Sequence, residues 1–71
     1  MTRTEHLAWA KKRAHEELNR GGKDAITNAV ASMLSDLGKH EDLVQSMRIG
    51  LMVAVTISNK DSCEHWIDGF N

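Results

Sequence analysis

Apolar residues gather in four clusters along the chain, and the densest runs from Met47 to Ile57. On a wheel of about 100° per residue, Met47, Ile49, Leu51, Met52, Val53, Ala54, Val55 and Ile57 spread around most of the circumference. A helix that is apolar on every side belongs in an interior, so the pattern places this segment at the centre of the fold, enclosed by the other elements. Polar residues resume at Gln45, Ser46 and Arg48 before it and at Ser58, Asn59 and Lys60 after it. The run is therefore about half the ~20 residues that cross a bilayer. Gly50 and Ala54 lie four apart, which puts two small residues on one face for a close helix crossing. Ile49, Val53, Val55, Thr56 and Ile57 are β-branched and also suit a strand. No other segment reads as its pairing partner, and a lone strand leaves its ladder groups open, so helix is the better assignment.

The remaining elements follow in order. Thr2 and Glu5 are spaced as a capping box, which opens helix one at Arg3; its thin stripe of Leu7, Ala10, Ala14 and Leu18 carries it to about Arg20. Trp9 falls off that stripe, among Glu5, Arg13, Glu16 and Arg20. Either the C-terminal segment or its neighbours' methylenes cover it, or it is an interface anchor, a residue type enriched among binding hot spots. Gly21 and Gly22 end the helix. Asp24 then caps helix two, whose face of Ala25, Ile26, Ala29, Val30, Met33, Leu34 and Leu37 opposes Thr27, Asn28, Ser32, Ser35 and Asp36. Gly38 ends it. Glu41 and Asp42 complement the dipole at the start of helix three, predicted over about Glu41 to Ser58. Asp61 with Glu64 predicts the cap of a short last helix, with Cys63, Trp66, Ile67 and Phe70 on its apolar face and Gly69 at its end. The expected fold is a single all-α domain over residues 1–71, a small bundle of three main helices and a short C-terminal fourth, with helix three central.

Composition changes this picture little. At 71 residues the chain buries only about 60% of its unfolded surface, which makes a lone monomer marginal. Apolar content of 41% against 27% charged excludes a disordered class. The first residues, MTRTEHLAWAKKR, hold no apolar h-region, so no signal peptide is expected. A lone Cys63 allows no intrachain disulfide and suits a reducing cytoplasm. The net charge of −1 exerts no general pull on nucleic acid. Its distribution is uneven: six Lys or Arg against three Glu over residues 1–23, net +3, and three against seven acids over residues 24–71, net −4. Such asymmetry would let one copy dock on another or on a charged partner.

Signs of catalysis are few. There is no phosphate-binding Gly loop, since Gly21 and Gly22 read as a helix stop. Of the four histidines only Cys63-x-His65 approaches ligand spacing, and residues two apart on a helix diverge. No metal or cofactor is expected, and His6, His15, His40 and His65 read as surface or cap residues. Cys63 on an apolar face reads as a small core hydrophobe. A helix-turn-helix needs a second helix offering polar and basic groups to base edges. Helix three is apolar, and helix two holds no Arg or Lys. The alternative nucleic-acid surface is then Lys11, Lys12, Arg13, Arg20 and Lys23, diluted by Glu16 and Glu17.

The hairpin from Trp9 to Leu37, with Ala14, Ala25 and Ala29 and a Gly turn, resembles a single tetratricopeptide-type unit, although one unit makes no solenoid. RTEHLAW at Arg3–Trp9, SDLGKH at Ser35–His40 and GFN at Gly69–Asn71 resemble small bacteriophage and prophage proteins of similar length. That resemblance implies a host cytoplasm and a binding role, and carries no functional residue over. The sequence thus points to a non-catalytic protein-interaction module, with another protein or a second copy as partner and no membrane. Trp9, Arg13 and Arg20 are the contact residues. Both architecture and ranking presuppose that residues 47–57 are enclosed, leaving charged outer faces and no cleft.

Overall fold

The computed structural model describes all of residues 1–71. It contains four α-helices and no strand: α1 over Arg3–Asn19, α2 over Ala25–Leu37, α3 over Val44–Ala54 and α4 over Lys60–Asp68, with a 3-10 turn at Glu41–Leu43. The protein is all-α.

At the start of α1 the capping box is formed. The Thr2 hydroxyl accepts from the Glu5 backbone N–H at 3.1 Å and the Glu5 carboxylate accepts from the Thr2 N–H at 3.0 Å. The Thr2 backbone N–H first, and the nearby Thr2 hydroxyl second, hold the Glu5 carboxyl below the usual carboxylate range. Gly21 and Gly22 have φ of 75° and 87°, a left-handed turn that favours glycine. It returns α2 along α1, and Ala10, Ala14, Ala25 and Ala29 are all buried in the core the two helices share. With no side chain beyond Cβ, these alanines let the two backbones approach closely.

Leu7, Leu18, Met33, Leu37, Leu43 and Ile67 fill the rest of the core. Most of its closing surface comes from α4, whose Cys63, Trp66 and Ile67 are buried together with Phe70 just beyond it. A short helix is unstable alone, and three groups on α1 hold this one. Lys11 Nζ donates to the Asp68 carbonyl at 3.2 Å, His15 pairs with the Asp68 carboxylate at 2.8 Å, and Arg3 donates to the Asn71 carbonyl. A cation on the last carbonyls of a helix also meets the negative end of its dipole.

Segment 47–57 departs from expectation. It is helical through Ala54, but it is not enclosed: Gly50 is the only buried residue of α3. Met52 is 76% exposed and Val55 86%, with Ile49, Leu51 and Val53 about half exposed. Enclosing a helix takes neighbours on all sides, and three other helices in a chain this short cannot supply them. The core space goes instead to α4, whose apolar residues share one face. The accessible surface of 4545 Å² is close to the ~4,400 Å² of a folded chain of this mass. The exposure therefore reflects which residues lie outside, not loose packing.

Element boundaries shift for local reasons. The helix expected over Glu41–Ser58 starts as a 3-10 turn and stops at Ala54, where the Thr56 hydroxyl takes the Val53 carbonyl at 2.8 Å and competes with continued helix. The cap of α4 is Asn59 with Ser62, not Asp61 with Glu64. Asn59 Oδ1 accepts from the Ser62 N–H at 2.8 Å and the Ser62 hydroxyl accepts from the Asn59 N–H at 3.0 Å, so the helix begins sooner. Asp24 precedes α2 without a side-chain capping bond.

α3 packs against α2, with Met47 and Ala54 on the core, and makes one close approach to the C-terminal segment. Trp66 Nε1–H donates to the Gly50 carbonyl at 3.0 Å, and a Cβ on Gly50 would overlap the Phe70 ring. Gly50→Ala should therefore cost about 1–3 kcal/mol through overpacking. Gly38 has ordinary helical dihedrals and only ordinary contacts around a Cβ. Gly38→Ala should stabilise by about 0.4–1 kcal/mol through a less flexible unfolded chain. Thermal and urea melts of the two variants should move in opposite directions.

Candidate interaction surface

The outer side of α3 is the largest apolar feature of the molecule. Met52 lies at the centre of the exposed arc, Ile49 and Val53 toward one edge, and Leu51 and the capping residue Val55 toward the other, with Arg48 as the only charged residue of the helix. Together the five apolar residues present on the order of 600 Å², the upper end of what a monomer leaves open. Along one edge runs an open groove of about 400 Å³. Ser46, Ile49, Gly50 and Val53 form one wall; His65, Trp66, Gly69, Phe70 and Asn71 form the other. Trp66 and Phe70 meet edge to face there, with ring centroids 5.1 Å apart. Gly50, with no side chain, lets the Phe70 ring lie against α3 at the floor of the groove. The groove is lined mainly by apolar atoms and holds no convergent charged pair.

A second constellation forms at the other end of the α1–α2 hairpin. Asp36, expected on the polar face of α2, is buried at 1% exposure. Its carboxylate accepts from Arg13 Nε at 2.8 Å and from Lys39 Nζ at 3.2 Å, and its carbonyl accepts from His6 Nε2–H at 2.6 Å. Trp9 lies half-buried over this cluster. The Arg13 guanidinium is 4.9 Å and the Lys39 ammonium 5.7 Å from its ring centroid, and the His6 ring is 5.1 Å away. Cations over an indole face are attracted by its quadrupole. Trp9 is thus covered by its own helix and the end of α2, not by the C-terminal segment. His6 is buried as well, with the His40 ring 5.2 Å from it, so it is not the surface residue the pattern suggested.

Trp9 and Arg13 are brought together, but Arg20 is not with them. It lies beyond the far end of α1, paired with Glu17 at 2.8 Å. The basic residues proposed for nucleic acid are dispersed. Lys11 is engaged with Asp68 and Arg13 with Asp36, Lys12 is exposed on a different side of α1, and Lys23 sits in the connection to α2. Successive residues on a helix point about 100° apart, so Lys11, Lys12 and Arg13 make no common patch.

The Cys63 thiol is fully buried, and burial, followed by the nearby Glu64 charge, pushes its pKa up. That is the reverse of what a thiolate nucleophile needs. No three His, Cys, Asp or Glu side chains converge where they could hold a metal ion. No helix is long and apolar enough to cross a membrane.

Two signals for these sites lay in the chain. Asp36 follows Ala25 by eleven residues and Ala29 by seven, which puts it on the same stripe of the wheel. His6 precedes Ala10 by four. The apolar surface of α3 carries no such signal, because a helix apolar on every side reads as core.

Asp36→Asn keeps the shape and removes the charge; with both cations left free to enter water it should cost about 1–3 kcal/mol. Arg13→Ala should cost less, about 1 kcal/mol or below, since the guanidinium is half exposed and Lys39 remains. Urea melts of both variants and of the double variant would measure the coupling. Thiol labelling of the native protein should be slow and follow the rate of unfolding; rapid labelling of folded protein would place Cys63 at the surface. Compared with protein-family models, with curated proteins and with solved structures, the chain matches none.

Proposed function

We propose that the protein is a non-catalytic interaction module whose docking surface is α3 together with the groove between α3 and the C-terminal segment. The observation that carries this reading is the exposure of Ile49, Leu51, Met52, Val53 and Val55 on one helix. Contiguous apolar surface of this extent marks an association site more often than a neutral exterior. A groove flanked by Trp66 and Phe70 adds the aromatic walls in which an apolar anchor from a partner would seat.

The reading keeps the class expected from sequence and moves the contact away from Trp9, Arg13 and Arg20. Arg13 is occupied in holding Asp36, Trp9 is occupied by the Arg13 and Lys39 cations, and Arg20 is remote from them. Nothing in the placement of Lys11, Lys12, Arg13, Arg20 and Lys23 favours nucleic acid. A role as a phage or prophage accessory protein acting in a host cytoplasm is compatible with such a module and rests on the short resemblances alone.

Met52→Glu with Val55→Glu places two carboxylates on the docking face, where neither native side chain is packed. The double variant should keep the helical CD spectrum and melting temperature while losing the proteins that the wild type retains from a bacterial lysate. Arg20→Glu should retain them. Retention of the same proteins by the double variant would remove α3 as the docking surface.

A further inference from the structure

We infer that the partner of α3 is α3 of a second copy, packed antiparallel about a two-fold axis that passes beside Met52. This rests on the docking reading above and names its occupant. Charge and register select a second copy.

The apolar residues of one α3 present on the order of 600 Å², and a two-fold interface uses the same patch twice. At 100° per residue the five side chains spread over about 200°, more than one facing helix can cover, so pairing two copies removes less than twice that area, below the ~1,200 Å² lower bound of a standard interface. Contacts of that size belong to weak, reversible association. Because both copies use the same surface, the assembly closes at two and leaves no complementary face from which a filament could grow.

Charge narrows the occupant further. From Leu43 to Asn59 the chain holds no Asp or Glu and a single basic residue, Arg48. A partner recognised by charge would have almost nothing to pair with here, although the rest of the molecule is rich in both signs. A face this poor in charge is complementary to itself.

Arg48 then sets the direction. Parallel pairing would set Arg48 against Arg48. With Met52 at the axis of an antiparallel pair, position 48 of one copy faces position 56 of the other, a threonine. The two Arg48 residues then stand eight positions apart, about 12 Å along the axis. That exceeds the ~8 Å screening length at physiological salt. The arginine stem lies over the partner's Val55 while its guanidinium reaches water. Leu51 and Val53 lie at the two edges of the contact, on either side of the axis.

Light-scattering mass across a concentration series should rise from 7.9 kDa toward twice that value, with a Kd in the micromolar range expected of a small interface. Met52→Glu sets two carboxylates against each other at the axis and should weaken the dimer at least tenfold, with CD and melting temperature at low concentration unchanged. Met52→Cys should form a disulfide-linked dimer under mild oxidation of the folded protein, where Arg20→Cys does not; native Cys63 is buried and stays silent. A mass of one chain at the highest soluble concentration, or no effect of Met52→Glu on mass, overturns the dimer. If the mass stays single while Met52→Glu still abolishes capture of a lysate protein, the dimer is wrong and the docking surface stands. If capture is unchanged as well, both fall.

Discussion

The docking of α4 on the α1–α2 hairpin governs the rest of the structure. A chain of this size has one core, with room for one more apolar element beside the hairpin, and α4 takes it. Ile67 and Cys63 go fully inside, Trp66 and Phe70 nearly so, and α1 fastens the helix end through Lys11, His15 and Arg3. The short helix wins over the longer apolar one because its apolar groups Cys63, Trp66 and Ile67, with Phe70 just beyond, all go into the core together. Burying them removes most of its exposed apolar surface at once, whereas α3 would bring apolar groups that no single face can hide.

With α4 in place, α3 packs beside α2 and against the edge of α4. Gly50 makes the second contact close: its missing side chain admits the Phe70 ring, and its carbonyl receives the Trp66 N–H. The same contact leaves the opposite side of α3 open. An apolar helix packed on one side only, beside a groove walled by two aromatic rings, leaves the surface on which the proposed docking rests. The hydrophobic effect that would have drawn it inward acts equally well between molecules.

The polar cluster at the other end has a different character. Asp36 is buried, and a buried carboxylate without partners is costly; Arg13 and Lys39 supply them, and Trp9 lies over both cations. The cluster locks the end of α2 against α1, and in doing so consumes the residues that looked most like contact groups. Trp9 is off the core stripe of α1 because it belongs to this second packing unit. An aromatic beside arginines is what an interface anchor and a cation–π lock share, and only the position of Asp36 tells them apart.

Local features were legible from the residues. Four helices, the Thr2–Glu5 cap, the glycine turn, the alanine seam and the apolar face of α4 all depend on interactions within a few positions, or on a period that one helix displays alone. The competition between α3 and α4 for a single core was not legible, because periodicity reports which faces are apolar and not how much interior the whole chain can enclose. An all-round apolar helix is buried where neighbours surround it, inside a large protein or within an assembly. Three short helices cannot surround a fourth, so the folded chain leaves its most apolar segment on the outside.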